Sequence, residues 1–210
     1  MVIIKRILIG IVALLVLFFV VGFLLPKDVR VERSMEIDAP PQAVFEMVND
    51  FRQFNSWQPW ALIDPDTRYV YEGPATGAGS RMMWYSDHPE VGDGMQEIIE
   101  SKPYSLVRTN LDFGAQGVAV ADYLIDEADG GSVVTWTLET NMGGSPFMGY
   151  VALMMDGMVG SAYEQGLANL KEILESPPEP EPELEPGPAI MDAPGDPEDS
   201  AEAQPESQAT

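Results

Sequence analysis

The side chains that do chemistry are few here, and their spacing argues against catalysis. Among 210 residues there is one histidine, His88, and no cysteine. Without cysteine there is no thiolate nucleophile, no disulfide and no sulfur ligand for a metal, while the redox compartment stays undetermined. A His-rich metal site is excluded, and a Ser-His-Asp triad would have to be built around His88 alone. His88 stands in SDHPEVGDG, flanked by Asp87, Pro89, Glu90 and Asp93. That is turn composition, whereas a general base needs a positioned partner and shelter from water. The same acidic residues lack the ordered ligand positions of an EF-hand loop, so the segment reads as a solvated loop. Gly73, Gly77 and Gly79 in GPATGAG are followed by no lysine and no helix start, which makes them a turn and not a phosphate cradle. Glu97 and Asp122 are further candidates for acid–base work, but Asp122 has the opposite parity to Tyr123 and is expected to face outward. Arg108, close to Asp112, is expected in cross-strand surface pairs. No catalytic residue, metal site or cofactor is assigned.

The elements that would position any site begin with a membrane segment. Ile7 to Leu25 is an unbroken run of apolar residues and glycine behind Lys5 and Arg6. As a helix it spans roughly 28 Å, close to the hydrocarbon thickness of a bilayer. A cleaved signal peptide is the competing reading. The run is long for one, and GFLLPKD lacks the small residues a signal peptidase needs, which favours an uncleaved anchor. Positive charges nearly balance across the run, with Lys5 and Arg6 before it and Lys27, Arg30 and Arg33 after it. The short basic head favours a single-pass protein of a bacterial inner membrane with the following domain exported.

Charge narrows the partners. The formal net charge is −23, and ten of the 34 acidic residues follow Ser176 without a basic residue beside them, leaving −23 + 10 = −13 on the rest. An acidic surface repels phosphate backbones and anionic headgroups, so nucleic acid is not an expected partner. Three segments follow: an anchor over 1–28, a folded domain over 29–176, and a Pro/Glu-rich tail over 177–210 with too few apolar residues to offset chain entropy. The tail is expected to be disordered and is a possible docking site for a protein partner.

Within the domain, alternation from Val29 to Ile37 predicts a first strand, and Asp38-Ala-Pro-Pro-Gln predicts a helix start with Asp38 as N-cap and prolines at the first helical positions. Six strand-like runs follow, over 68–72, 80–85, 95–100, 106–113, 118–126 and 132–142, separated by Gly- or Pro-bearing turns. They predict an antiparallel meander. From Pro146 to Glu175 the period becomes helical, with Gly149, Gly157, Gly160 and Gly166 as points where the helix can kink.

The segments VERSMEIDAPPQAVFEMVNDFRQFNSWQPW, GPATGAGSRMMW with GDGMQEIIESKP, and YEQGLANLKEILE resemble the helix-grip superfamily that includes START domains and polyketide cyclases, often called SRPBCC. The resemblance covers about Val31 to Glu175. It implies an α+β helix-grip fold: a curved antiparallel sheet around a long C-terminal helix, here preceded by one transmembrane helix, with an apolar cavity between sheet and helix. Strand parity then selects the wall. Trp136 and Leu138 share one face, Leu111 and Phe113 another run of it, and Tyr123 continues it, while Met82 and Trp84 join if their strand takes the same phase. Met154, Met155 and Met158 face them from the helix, and Trp60 lies near the mouth, with Trp57 as part of a lid or rim or as a plug. A core packed solid with the same side chains is the plain alternative.

The function expected is membrane-anchored binding of an apolar or amphipathic small molecule or lipid. A cyclase- or hydrolase-type enzyme using a cavity carboxylate and a scaffold docking through the acidic tail are the alternatives.

Overall fold

In the computed structural model, residues 2–176 are described. The acidic tail therefore lies outside the described residues. An apolar helix, α1 (Val2–Leu24), leads into β1 (Asp28–Ile37). Three short helices follow, α2 (Pro41–Val48), α3 (Phe51–Phe54) and α4 (Trp60–Ile63). Then come β2 (Arg68–Glu72), β3 (Arg81–Tyr85), β4 (Gly94–Lys102), β5 (Leu106–Asp112), β6 (Val118–Ala128) and β7 (Gly131–Asn141), closed by α5 (Pro146–Glu175).

The strands form one antiparallel sheet in the order β1-β7-β6-β5-β4-β3-β2. Turn chemistry makes β2 to β7 a meander, because each link is short and glycines at Gly73, Gly79 and Gly130 supply positive φ. β1 instead pairs with β7, from Asp28 opposite Asn141 to Ile37 opposite Ser132. The helices α2 to α4 carry the chain from that edge to the opposite one. This is the helix-grip architecture.

Local starts differ from expectation in one place. Pro40 and Pro41, not Asp38, occupy the N-cap and first turn of α2. Proline has no N–H to leave unpaired at these two positions, and the Ala43 N–H donates to the Pro40 carbonyl at 3.0 Å. The backbone N–H of Asp38 donates instead to Glu175 Oε1 at 2.7 Å, tying the first strand to the end of α5.

α5 is one continuous helix of 30 residues despite its four glycines. Each glycine costs helix propensity, and three of the four are repaid in close approach. At Gly149 a Cβ would sit 2.7 Å from the Gly22 carbonyl oxygen, so α1 crosses α5 there. At Gly160 the Arg33 guanidinium lies across the helix, and Arg33 pairs with Asp156 at 3.0 Å and Glu164 at 2.6 Å. At Gly166 the ring of Trp136 comes to 2.9 Å of the same notional atom. Tertiary contact outweighs roughly 1 kcal/mol of propensity per site.

The core sits at the α2–α3 end of the sheet. Val31, Ile37, Val44, Val48, Trp57, Val107, Val134, Leu167 and Leu170 are buried together. Trp57 is the plug and not a lid. It is fully buried, donates from Nε1 to the Met47 carbonyl at 3.3 Å, and meets Phe54 edge-on at 4.9 Å.

Candidate functional site

Away from that packed end, the concave face of the sheet and α5 diverge and leave between them a partly open cavity of about 630 Å³. The floor is built from strand parity. In register across the sheet, Gln96 pairs with Leu111, Leu111 with Ala119, and Ala119 with Thr140. Tyr123 pairs with Trp136 farther along. Small residues Ala119 and Ala121 keep the middle of the floor low, while α5 supplies the roof from Val151, Met155, Met158 and Val159.

Two glycines shape the walls. Trp84 lies flat across β4 because residue 94 is glycine; a Cβ there would be 2.2 Å from the ring. Trp84 then meets Phe113 edge-on at 5.9 Å. Gly166 has the matching role for Trp136, which stacks on Tyr163 at 3.7 Å and 10°.

Of the residues named from sequence, Trp60, Met82, Trp84, Leu111, Phe113, Tyr123, Trp136, Leu138 and Met158 all line this cavity. Met154 does not. It is 62 % exposed, and its neighbour Met155 takes the place in the wall because the inward stripe of α5 runs through Val151, Met155 and Val159 at four-residue spacing. Residues not foreseen include Gln96, Tyr163, Tyr69 and Gln58. Tyr163 stands four before Leu167 and seven before Leu170, a helical spacing that marks it as inward. Gln96 has no such signal, because adjacent Ile98 and Ile99 leave the parity of β4 open and a register shift falls between Ile98 and Glu100.

The titratable candidates lie elsewhere. Asp122 accepts two hydrogen bonds from Arg108, at 2.7 and 2.8 Å, and Glu100 lies 3.4 Å from the same guanidinium. Arg108 thus pairs across strands with Asp122 and not with Asp112. Glu97 pairs with Arg81 at 2.9 Å. His88 belongs to the β3–β4 loop, where its Nδ1 accepts from the Glu90 N–H at 3.3 Å. That loop contributes Val91 to the cavity rim, and His88 is not among the lining residues. No Asp, Glu, Lys, Arg or His is among the described residues that line the cavity. Its tyrosines are held neutral: burial pushes the phenols of Tyr123 and Tyr163 well above their ordinary range. The cavity can bind and orient an apolar body and offer neutral hydrogen bonds.

A curved antiparallel sheet gripping one long helix over an uncharged, aromatic- and methionine-lined cavity defines a helix-grip protein. The chain belongs to the family described as polyketide cyclase / dehydrase and lipid transport, whose model matches residues 28–175. Among solved structures, it is similar to protein CV1439 from Chromobacterium violaceum, with 14% identity over 72% of this chain and 100% of that one and a TM-score of 0.51. A protein from Rhizobium leguminosarum is 16% identical over 71% of this chain and 95% of its own, with a TM-score of 0.52. The di-domain ARO/CYC StfQ from the steffimycin biosynthetic pathway is 9% identical, with a TM-score of 0.54; the match covers 71% of this chain and 51% of that one. At such identities these likenesses concern the fold. No curated protein matches the chain.

Proposed function

We propose that this protein is a membrane-anchored binding protein for an apolar or amphipathic small molecule or lipid, held between the sheet and α5. The observation that carries the reading is the 630 Å³ cavity with no Asp, Glu, Lys, Arg or His among the described residues of its lining. A void of this size lined by aromatic, methionine and alanine side chains suits a lipophilic guest, and methionine adapts to varied apolar shapes. An enzyme working through a cavity carboxylate finds no support, since Glu97 and Asp122 are engaged by arginines outside it.

Anchoring is supported by α1 and by what it touches. Its 23 residues rise about 34 Å, enough to cross the hydrocarbon core, and Gly22 alone among them is buried. Pro146, Gly149 and Tyr150 of α5 contact it, with the Tyr150 hydroxyl donating to the Phe18 carbonyl at 2.8 Å and the two rings stacked at 4.5 Å. The same turns of α5 carry Met148 and Val151 of the cavity wall. A bilayer around α1 therefore lies one helix face away from the cavity. Phe147, Leu153 and Met154, exposed on that part of α5, add an apolar surface that lipid would cover.

The test is native mass spectrometry and lipid extraction of the full chain purified in detergent, with a panel of fluorescent lipids. A co-purified lipophile, lost in Ala121→Leu while the fold is kept, is the expected result. A chain that is empty on purification and binds no member of the panel would remove the main support.

A further inference from the structure

Along the first half of α5, Phe147, Val151, Met154 and Met158 fall at i, i+4, i+7 and i+11, one stripe of the helix. The sheet does not cover it: Phe147, Met154 and Met158 are 61, 62 and 63 % exposed. Val151 and Met158 also line the cavity, so the stripe is one lip of its mouth. Beyond Met158 the same face turns polar, with Ser161, Gln165 and Glu172 exposed. The sixteen residues between Glu139 and Asp156 carry no charge, and α1 touches this stretch at Pro146, Gly149 and Tyr150.

Two loops make the opposite lip. Ala115 and Gln116, in the turn between β5 and β6, line the cavity and are exposed, and Val91 of the β3–β4 loop joins them. Register puts both loops at the end of the sheet where the chain leaves α1: Asp28 is opposite Asn141, Thr140 opposite Ala119, Val118 opposite Asp112, and Asp112 opposite Met95. Residues 25–27 alone separate α1 from Asp28. This lip is acidic. Asp87, Glu90, Asp93 and Asp112 stand there against Arg68, and like charge keeps anionic headgroups away.

We infer that the mouth of the cavity seats on a zwitterionic lipid surface, with the stripe from Phe147 to Met158 immersed beside α1, so that a guest passes between bilayer and cavity without crossing water. The inference rests on the membrane-anchored binding function proposed above and adds where the mouth opens and which surface it meets. Continuity with α1 selects lipid over a second copy of the chain as the cover. The α1–α5 contact holds the stripe against a segment that lipid surrounds, and a stretch without ionisable acids or bases other than Tyr150 enters the interface with no ion to desolvate.

Because the chain has no cysteine, a fluorophore on a single introduced cysteine reports one site at a time in the full chain. Met154→Cys and Ala115→Cys probe the two lips, Leu14→Cys probes α1, and Ile99→Cys and Ile173→Cys probe exposed apolar sites away from the mouth. Each is reconstituted into phosphatidylcholine bilayers with and without doxyl-labelled lipid. Quenching at Met154 and Ala115 should be several-fold stronger than at Ile99 and Ile173, with Leu14 strongly quenched. Phe147→Asp with Met154→Asp should lower quenching at Ala115 and leave Leu14 unchanged. At low salt, exchanging phosphatidylcholine for phosphatidylglycerol should weaken quenching at Ala115, and added salt should restore it. Ala115 quenched no more than Ile99, or unmoved by the two Asp changes, overturns the inference. So does quenching that grows in phosphatidylglycerol, or efficient disulfide formation between two Met154→Cys chains, which would give the stripe to a second copy. Those results leave the binding function standing, since a co-purified lipophile reports it separately. An unquenched Leu14 counts against both.

Discussion

Glycine-to-alanine changes at two sites in α5 should move stability in opposite directions, although the chemistry is identical. Inside a helix the change is worth up to about 1 kcal/mol in favour of alanine. At Gly157 an added Cβ meets nothing within 4 Å, so the gain is realised. The expected rise is about 0.5–1 kcal/mol, and for a domain of this size each kcal/mol moves Tm by about 2–4 °C. At Gly166 the same atom would lie 2.9 Å from Trp136 Cζ3, 3.1 Å from Pro59 Cδ and 3.6 Å from Trp57 Cζ3. None of the three yields easily. Trp136 is stacked on Tyr163 at 3.7 Å and held edge-on by Trp57 at 5.3 Å, and Trp57 is itself fully buried. Overpacking of this kind costs about 1–3 kcal/mol, which after the propensity gain leaves a net loss of about 0–2 kcal/mol. Thermal melts and urea titrations of Gly157→Ala, Gly166→Ala and the parent in one detergent, followed by tryptophan emission, measure the difference directly. If Gly166→Ala melts alongside Gly157→Ala, above the parent, Trp136 is not locked against the helix and the account of the cavity wall fails with it.

Two further outcomes are expected. Acid should destabilise the fold through carboxylates whose pKa values are held low. The Arg33 guanidinium lowers Asp156, the Asp38 backbone N–H and then Lys171 lower Glu175, and Lys102 with Arg108 lowers Glu100. A depressed folded value means the contribution is complete above the unfolded value near 4 and is lost as pH falls through the folded one. The urea midpoint should hold from pH 7 to about 5 and drop below about 4, with a shallower drop in Arg33→Met. A midpoint unchanged down to pH 3 would contradict this. Second, because the chain has no cysteine, Phe18→Cys with Tyr150→Cys gives a background-free cross-link report on the α1–α5 contact. Cross-linking should be efficient, and Gly22→Val should abolish it, since a Cβ at residue 22 lies within 3.0 Å of the Pro146 backbone and ring. A low yield in the Phe18→Cys, Tyr150→Cys pair would place the two helices apart, and an undiminished yield with Gly22→Val would show that the Gly22–Pro146 approach does not hold them together.

Much of the fold is legible because its signals are periodic. Alternation gives all seven strands within about two residues at each end, and the change from period 2 to period 3.6 at Pro146 gives α5. What misleads is composition read without contact. Four glycines suggest a kinked helix, yet three of them are where α1, Arg33 and Trp136 come in close, and a partner's position is not written in the helix's own sequence. Asp38 suggests a cap for the same reason: the residue type is right, but its N–H is drawn to Glu175, 137 positions away.

The cavity wall was half legible, and the missing half is the chemically informative one. Parity of apolar residues finds Leu111, Tyr123, Trp136 and Leu138, because burying an apolar face is what strands are patterned to do. Parity gives no assignment for Gln96, because Ile98 and Ile99 leave the phase of β4 open, and the structure puts it in the cavity lining. The same blindness applies to the void itself. The side chains that wall a cavity are the types that fill a solid core, and the difference lies in how far the sheet bends from α5. Here that spacing is set at residues without side chains: Gly94 lets Trp84 lie flat, Gly166 draws Trp136 to the helix at one end, and the alanines at 119 and 121 leave the floor low between them. Packing is tight where Trp57, Trp136 and Tyr163 meet and absent a few residues farther along the same strands.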